Sequence, residues 1–413
     1  MAGFEKTEAG AHLSKIMKEG YMDLHQRAAE GAFVVWVAII VPVEIFAGFD
    51  NVVFAVPESH AATSAAKGVG VLQCEKAESR GYSQDLCSYA RIDIGTAMDG
   101  GRDSPTFGLP KPDLLVSDNN NCSLLVKWFD VYHREWNVPH FVLDVPFCYG
   151  NQSERDLEYI LAQFHDLIEC VERLSGQKFD MDKARQAVEY TAEGVSHWKR
   201  FLRFAGHRPA GITVFDSFVQ MAPFLTLRGT PQFAEHYKIL ATETARRVNS
   251  GTYPLPNEKY RLMWDNIAPW HQLRKMAQRL GELGANIVAA PYTSCIGSVE
   301  GSWREYQYDG DPLRYLARGQ NNSVCPHGLV LRSQAMSEAI NEIGIDGVVF
   351  ASNRSCKVFS VMQMDQQRLI ARRHDIPTCM IDVDHADARK YSEESAFLRL
   401  EALLEQIEAK RAA

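Results

Sequence analysis

Short apolar runs followed by stretches of helical periodicity recur along the chain. The longest run, 32–41, ends at Pro42 and is too short to span a membrane, so it indicates a strand buried on both faces. Five further runs are rich in Val, Ile and Leu and are separated by helix-length stretches: 113–117, 140–145, 287–290, 347–351 and 378–383. This alternation predicts an α/β fold of parallel strands with crossover helices.

Two of these units share five features in the same order. The first has Asp113, Asn119-x-x-Cys122, a helix, Val138-Pro139 and a strand that ends at Asp144; the second has Asp346, Asn353-x-x-Cys356, a helix, Ile376-Pro377 and a strand that ends at Asp382. We therefore predict two related flavodoxin- or Rossmann-like domains with parallel sheets, which place equivalent cysteines in equivalent loops.

The pattern between the two halves is helical. Ser153 can cap a helix with an apolar stripe made of Leu157, Ile160, Leu161, Phe164, Leu167, Ile168 and Val171. Further helices are predicted at 181–205, at 230–248 and from Ser392 onward. The predicted domains are residues 1–152, carrying Cys87 and Cys122; a helical linker or domain, residues 153–265; and residues 266–413, carrying Cys356.

Composition and charge exclude several classes of protein. The 413 residues are 46% hydrophobic and 23% charged, which is enough for a substantial core. A net charge of −8 without a basic run argues against a nucleic-acid or anionic-membrane surface. The sequence has no GxxxxGK[ST] loop, so no Walker-type nucleotide site is expected. It shows no signal segment, so we expect a cytoplasmic protein, in contrast to a periplasmic binding protein with two α/β lobes.

The chain has nine cysteines and no CxxC pair, so metal binding or plain burial is favoured over a disulfide framework. Cys122 and Cys356 each follow a predicted strand and precede a helix, whose N–H groups and dipole stabilise a thiolate. Cys87 is predicted just inside a helix capped by Ser83, with Asp85 in its first turn. Three thiolates facing one cleft could hold three irons of a cluster and leave a fourth open.

The alternative for every cysteine is that it is a small buried hydrophobic residue. We favour that alternative for the cysteines in helical or strand patterns: Cys74, Cys170 and Cys379. The remaining three lie in loops and could be near the site, although nothing in the sequence pairs them: Cys148, Cys295 and Cys325.

The segments around these cysteines resemble the 2-hydroxyacyl-CoA dehydratase/benzoyl-CoA reductase family. The similarity is carried by 74–91, by Asn119-Asn-Asn-Cys122, by Asn353-Arg-Ser-Cys356 and by 57–62, and it runs over nearly the whole chain. It implies one [4Fe-4S] cluster on Cys87, Cys122 and Cys356. It also implies a homologous cluster-bearing partner subunit, a separate activator that hydrolyses ATP, ferredoxin as electron source, an acyl-CoA substrate and a radical mechanism.

The branch of the family is a finer question. Segments 224–243, 258–265 and 284–293 look more like an ATP-dependent benzoyl-CoA reductase subunit, and dehydratase α subunits carry a hydroxyl residue where Ile39 stands. An apolar strand suits an aromatic ring, so we favour an aryl-CoA reductase of anaerobic aromatic degradation, which forms a cyclic dienoyl-CoA. The alternatives are a dehydratase α subunit that forms an enoyl-CoA, and an electron-relay subunit without its own substrate site.

Dearomatisation needs a proton donor as well as electrons. Glu58 is the first candidate, because it matches a family acid and follows a strand-like run, 52–56; otherwise it is a solvated loop carboxylate. His60 is the second candidate. The acidic run 382–387 departs from the family pattern at His385, and capping of the next helix is its favoured role. Possible CoA phosphate ligands are Arg228, Arg261 and Lys357, each of which could equally be paired at the surface.

Overall fold

The amino-terminal part of the chain folds around a four-stranded parallel sheet. The computed structural model describes residues 7–298, 304–322, 325 and 327–413. The strands are β1 (Phe33–Val37), β2 (Val52–Ala55), β3 (Leu114–Asp118) and β4 (His140–Leu143). The helices are α1 (Glu8–Ala29), α2 (Pro57–Ala66), α3 (Gly70–Glu78), α4 (Ser88–Ala97) and α5 (Ser123–Trp136), with a 3-10 helix at Val43–Gly48.

Five helices follow in the middle of the chain. They are α6 (Glu154–Ser175), α7 (Met181–Arg203), α8 (Val214–Gln220), α9 (Ala222–Thr226) and α10 (Pro231–Asn249), with a 3-10 helix at Phe204–Gly206. Ser153 caps α6 in a reciprocal pair with Asp156, as the sequence predicted for a cap at this position. The stripe on α6 is buried in the first core except at Leu161, which is only partly buried.

The carboxyl-terminal part repeats the architecture of the first. Its strands are β5 (Tyr260–Asp265), β6 (Ala285–Ala289), β7 (Gly347–Asn353) and β8 (Thr378–Val383). Its helices are α11 (Leu273–Glu282), α12 (Pro291–Ser294), α13 (Pro312–Asn322), α14 (Leu329–Ile343), α15 (Lys357–Ser360), α16 (Gln363–His374) and α17 (Glu393–Ala412), with a 3-10 helix at Ala388–Lys390.

The two sheets have the same topology, which confirms the predicted α/β fold. Their strand orders are β2-β1-β3-β4 and β6-β5-β7-β8, with every pairing parallel. The matched aspartates of the repeat also make the same bond. Asp113 accepts from the Val34 N–H at 2.8 Å, and Asp346 accepts from the Arg261 N–H at 2.8 Å, so each ties the start of the third strand to the first.

Two of the strands differ from the sequence prediction for identifiable reasons. The run 32–41 pairs only as far as Val37, because the chain then leaves the sheet and turns toward the 3-10 helix at Val43–Gly48. Strand β5 was not predicted, because Arg261 interrupts its apolar pattern. Arg261 is nevertheless buried, and it donates to Glu258 and to the carbonyls of Ala205 and His207.

The helical segment is divided between the two halves. The predicted boundary at 265 separates β5 from the sheet to which it is hydrogen-bonded. Helices α7 to α10 contribute most of their buried apolar side chains to the core of the second sheet, whereas α6 and α13 contribute to the core of the first. Among the described residues, no helix is long and apolar enough to cross a membrane.

Candidate functional site

The two cysteines of the repeat lie in the same local structure, at the carboxyl ends of equivalent strands. Cys122 is the N-cap of α5 after β3, and Cys356 is the N-cap of α15 after β7. In each turn the cysteine N–H donates to the carbonyl of the asparagine three residues earlier, at 3.0 and 3.2 Å. The side chain of that asparagine, Asn119 or Asn353, accepts a backbone N–H from beyond the next strand.

Cys87 occupies the same kind of position, which corrects the sequence prediction. It is the N-cap of α4, and the helix begins at Ser88, so Cys87 is not inside a helix capped by Ser83. Ser83 instead accepts from the N–H of Asp85 within a turn, at 3.2 Å. All three predicted cluster ligands therefore place their sulfur at the positive end of a helix.

The electrostatics of the three thiols show that they share one environment. Burial raises the pKa of each thiol, to about 12 for Cys356. The charges of Cys356 and Cys122 raise the pKa of Cys87 further, and Cys122 does the same to Cys356. Backbone N–H groups of the first helical turns lower each pKa, because they stabilise the thiolate. The carboxyl ends of the strands in the two sheets therefore face one shared site.

The chemistry of the three thiols can be compared with what an iron–sulfur cluster would require of its ligands. Within the described part of the chain, no three His, Cys, Asp or Glu side chains converge on a point where one metal ion would be bound. Each thiolate of an iron–sulfur cluster binds a different iron, so its ligands stand farther apart. Thiolates are the soft donors that such a cluster takes, and each of these three cysteines is partly exposed and stands at a helix start.

Two other thiols lie close to the three. The pKa of Cys325 is raised by burial and then, after a lowering effect of Arg332, by the charges of Cys356, Cys295 and Cys122. The sequence predicted Cys295 and Cys325 in loops, and these charge effects connect both of them with the predicted ligands. Cys148 instead donates to Asn321.

Glu58 lies in the first turn of α2, directly after β2, rather than in a loop. Its Oε1 accepts the N–H of Ile39 at 3.1 Å, and its Oε2 is buried without a hydrogen-bond partner among the described residues. Burial raises the pKa of Glu58 to about 8, so the side chain is a neutral acid at pH 7. The charge that Glu58 carries when it is ionised raises the pKa of Cys122 and of Tyr292. Glu58 therefore lies at the same site as these two residues.

The second predicted proton donor, His60, is enclosed by protein. Its Nδ1 is 2.9 Å from Asp93 Oδ1, and its Nε2 is 3.0 Å from Ser104 Oγ. Asp93 also accepts from the hydroxyl of Tyr132 at 2.6 Å. Because both ring nitrogens have protein partners, neither is free for a substrate. His60 instead joins α2, which carries Glu58, to Asp93 and Ser104.

Sequence reasoning missed Tyr292, which matches Glu58 in the other half. Pro57-Glu58 opens the helix after the second strand of the first sheet, and Pro291-Tyr292 opens the helix after the second strand of the second sheet. The proline that opens the helix after each of these strands was the sequence signal that could have identified Tyr292.

Sequence reasoning also missed Asp118. It is buried at the end of β3, and burial followed by the charge of Glu58 raises its pKa well above the ordinary range.

The acidic run after β8 combines a structural and a site role. Asp387 caps the 3-10 helix Ala388–Lys390, as expected. His385 was not predicted to contact a cluster ligand, yet its Nε2 is 3.5 Å from Cys87 Sγ. Burial lowers the pKa of His385 to about 4.

The three candidate CoA ligands are not equally available. Arg261 is enclosed as described above, and Arg228 donates to the carbonyl of Val41 at 2.6 Å. Lys357 is exposed beside Cys356 and, within the described part of the chain, donates to the carbonyl of Arg354. Of the three, Lys357 is therefore the most exposed, and it is the neighbour of Cys356 in the sequence.

Residues 38–407 match the family described as 2-hydroxyglutaryl-CoA dehydratase, D-component. The chain is 32% identical to the (R)-phenyllactyl-CoA dehydratase alpha subunit of Clostridium sporogenes, over 86% of this chain and 85% of that one. It is 30% identical to the (R)-2-hydroxyisocaproyl-CoA dehydratase alpha subunit of Clostridioides difficile, over 98% of both chains. It is 28% identical to a subunit of the benzoyl-CoA reductase of Thauera aromatica, over 81% of this chain and 79% of that one.

Proposed function

The chain belongs to the 2-hydroxyglutaryl-CoA dehydratase, D-component, family. From that premise we propose that it is the substrate-binding, iron–sulfur subunit of an aryl-CoA reductase of the benzoyl-CoA type. The iron–sulfur and substrate-binding parts of the proposal rest on Cys87, Cys122 and Cys356, which are the N-cap residues of three helices, and on the buried carboxyl group of Glu58, whose charge acts on Cys122. Cys87, Cys122 and Cys356 would hold a [4Fe-4S] cluster. When bound, such a cluster supplies one-electron reduction, at potentials that reach about −700 mV in the lowest cases.

The reaction adds two electrons and two protons to the aromatic ring of an aryl-CoA thioester. Two C–H bonds form, and one ring double bond is lost, which leaves a cyclic dienoyl-CoA. The electrons come from a reduced ferredoxin through the activator. Glu58 is suited to supply one of the protons, because it is neutral at pH 7 and its Oε2 has no hydrogen-bond partner among the described residues.

The surroundings of Glu58 support an aryl substrate. The loop after β1 approaches its carboxyl group through the N–H of Ile39, whose side chain is apolar and partly buried against the first core. Phe218 and Phe359 stand against Tyr292, with ring centroids 6.1 and 6.2 Å away. Apolar and aromatic side chains of this kind favour a flat ring as the substrate.

A second candidate is the alpha subunit of a 2-hydroxyacyl-CoA dehydratase, which is favoured by the 32% and 30% identities to two such subunits. That reaction expels the 2-hydroxyl group as water and leaves a linear enoyl-CoA. A neutral Glu58 would then give its proton to the departing oxygen. Both reactions use the same cysteines, so the ligand set does not separate them.

The proposal includes partner subunits. Each of the three relatives is named as one subunit of a larger enzyme, which supports a homologous cluster-bearing partner. Because the sequence has no Walker-type loop, hydrolysis of ATP is assigned to a separate activator.

The deciding experiment is anaerobic production of the chain with its partner subunit and activator, followed by assay with ATP and a strong reductant. Benzoyl-CoA and phenyllactyl-CoA are supplied in parallel, and products are separated by mass. A cyclic dienoyl-CoA supports the reductase. A linear enoyl-CoA with unchanged benzoyl-CoA would refute it in favour of the dehydratase. An iron-free, colourless protein would refute the cluster itself.

A separate measurement tests whether this subunit binds the substrate. Glu58→Gln should sharply lower turnover while iron content stays unchanged. Unchanged turnover would instead assign the chain to electron relay.

A further inference from the structure

The third cluster cysteine comes from outside the internal repeat. Cys122 and Cys356 follow equivalent strands, whereas Cys87 lies among the helices between β2 and β3. The repeat therefore does not determine how far Cys87 lies from Cys356. That separation must be set by contacts between the two halves of the molecule.

One carboxylate makes these contacts. Asp384 follows β8 and is fully buried. Its carboxylate accepts hydrogen bonds from the hydroxyl groups of Ser88, at 2.6 Å, and Ser355, at 2.7 Å. Ser88 directly follows Cys87 in the first half, and Ser355 directly precedes Cys356 in the second half. The N–H of Ser88 also donates to Ser355 Oγ at 3.2 Å. The neighbours of two cluster ligands are thus bonded to each other and to one shared carboxylate.

Asp384 is itself held rigidly. The N–H groups of Ala386 and Asp387 donate to its Oδ1 at 3.1 and 2.9 Å, so the carboxylate has four donors. A carboxylate with its hydrogen bonds made in this way has one preferred position. The equivalent turn in the first half lacks this bridge: Asn121, which precedes Cys122, bonds to Asp118 of its own sheet.

A second set of contacts runs parallel to the first. His385 joins the Asn353 side chain, at 2.8 Å, to Ser88 Oγ, at 3.0 Å. Arg91 of α4 donates to Asp387 at 2.9 Å from a fully buried position. These bonds hold α4, with Cys87 at its start, against the loop that follows β8.

We propose that Asp384 is a positioning residue that sets the separation of Cys87 and Cys356, through Ser88 and Ser355, to match the three-thiolate cluster. The proposal rests on the proposed function, since it requires that these cysteines bind iron. Partners behind a metal ligand orient it, and their loss typically lowers metal affinity about 10–100-fold. An ordinary contact between the two halves would affect stability but leave the bound cluster unchanged.

The test uses the full chain, purified without oxygen, as wild type, Asp384→Asn and Ser355→Ala. Asp384→Asn keeps the size of the side chain but turns one acceptor into a donor facing a serine hydroxyl. Asp382→Asn is the matched control, because Asp382 lies two residues earlier, is exposed, and pairs only with Arg354 at 3.4 Å among the described residues. The measurements are the rate of iron loss to a chelator and the EPR spectrum of the reduced protein.

We expect Asp384→Asn and Ser355→Ala to lose iron about tenfold faster than Asp382→Asn, with an altered EPR spectrum. If Asp384→Asn does not fold, as judged by circular dichroism, Ser355→Ala decides by the same two measurements. Iron loss within about twofold of the control, with an unchanged spectrum, overturns the positioning role alone. Absence of iron from the wild type overturns the proposed function instead, so the two failures are distinguishable.

Discussion

The substitution Glu58→Gln tests the chemical state of the site most directly. Glu58 is 4% exposed, and its pKa of about 8 lies well above the ordinary value of 4.5, mainly because burial disfavours the charged form. Gln keeps the shape of the neutral acid and its acceptor for the Ile39 N–H, but it has no proton to give. Turnover should fall about 10²–10⁴-fold, the usual contribution of a general acid.

The same substitution has a calculable effect on stability. Below pH 4.5 the carboxyl is neutral in both the folded and the unfolded chain. Between pH 4.5 and about 8 only the folded chain keeps the proton, so the stability of the wild type falls as the pH rises. At about 1.4 kcal/mol for each pH unit, the complete loss is about 5 kcal/mol above pH 8. Glu58→Gln does not titrate and escapes this loss.

The assay is urea unfolding of wild type and Glu58→Gln without oxygen, from pH 4.5 to pH 9. The difference in unfolding free energy should move in favour of the variant by up to about 5 kcal/mol over this range. Glu135→Gln, at an exposed position of α5, is the control for the same change of residue type away from the site. A difference that stays constant with pH would refute the conclusion that the folded protein keeps Glu58 neutral.

Four further substitutions test the predicted cysteine ligands, the buried Arg91 and the apolar side chain of Ile39. Cys122→Ala and Cys356→Ala should each lose most of the bound iron, whereas Cys379→Ala should keep it; equal iron in all three would exclude the predicted ligand set. Arg91→Leu removes a fully buried partner of two carboxylates and should lower the free energy of unfolding by about 3–5 kcal/mol in urea titrations, and a change below about 1 kcal/mol would contradict this. Ile39→Ser should lower kcat/KM for benzoyl-CoA about tenfold, because an apolar contact with the ring is lost. An unchanged kcat/KM would show that Ile39 does not contact the ring of the substrate.

Most of the fold could be predicted from the chain because its signals are local. Six apolar runs marked six of the eight strands, the shorter run at 52–56 marked a seventh, and the asparagine–cysteine turns marked the repeat. The strand β5 was missed because Arg261 breaks its apolar pattern, and only the folded chain supplies the carbonyls that compensate the buried charge. The division of the helical segment between two cores is likewise a property of packing, not of periodicity.

The candidate site divides in the same way. The internal repeat singled out Cys122 and Cys356 as candidates, and the family resemblance singled out Glu58; all three come soon after a strand, and the carboxyl ends of parallel strands line a common edge. The roles of His385 and Asp384 depend on contacts across about 300 residues of chain, from Cys87 and Ser88 to the loop after β8. No local pattern encodes such a contact.

The sequence by itself therefore determined the α/β architecture, its duplication and the two cysteines that the duplication carries. Only the tertiary structure decided that Cys87 starts a helix, that His60 is enclosed, and that His385 contacts Cys87. The physical reason is the range of the interactions. Hydrophobic periodicity and helix capping act within a few residues, whereas burial, which sets the pKa of Glu58, and the hydrogen bonds of Asp384 exist only once the two halves have packed together.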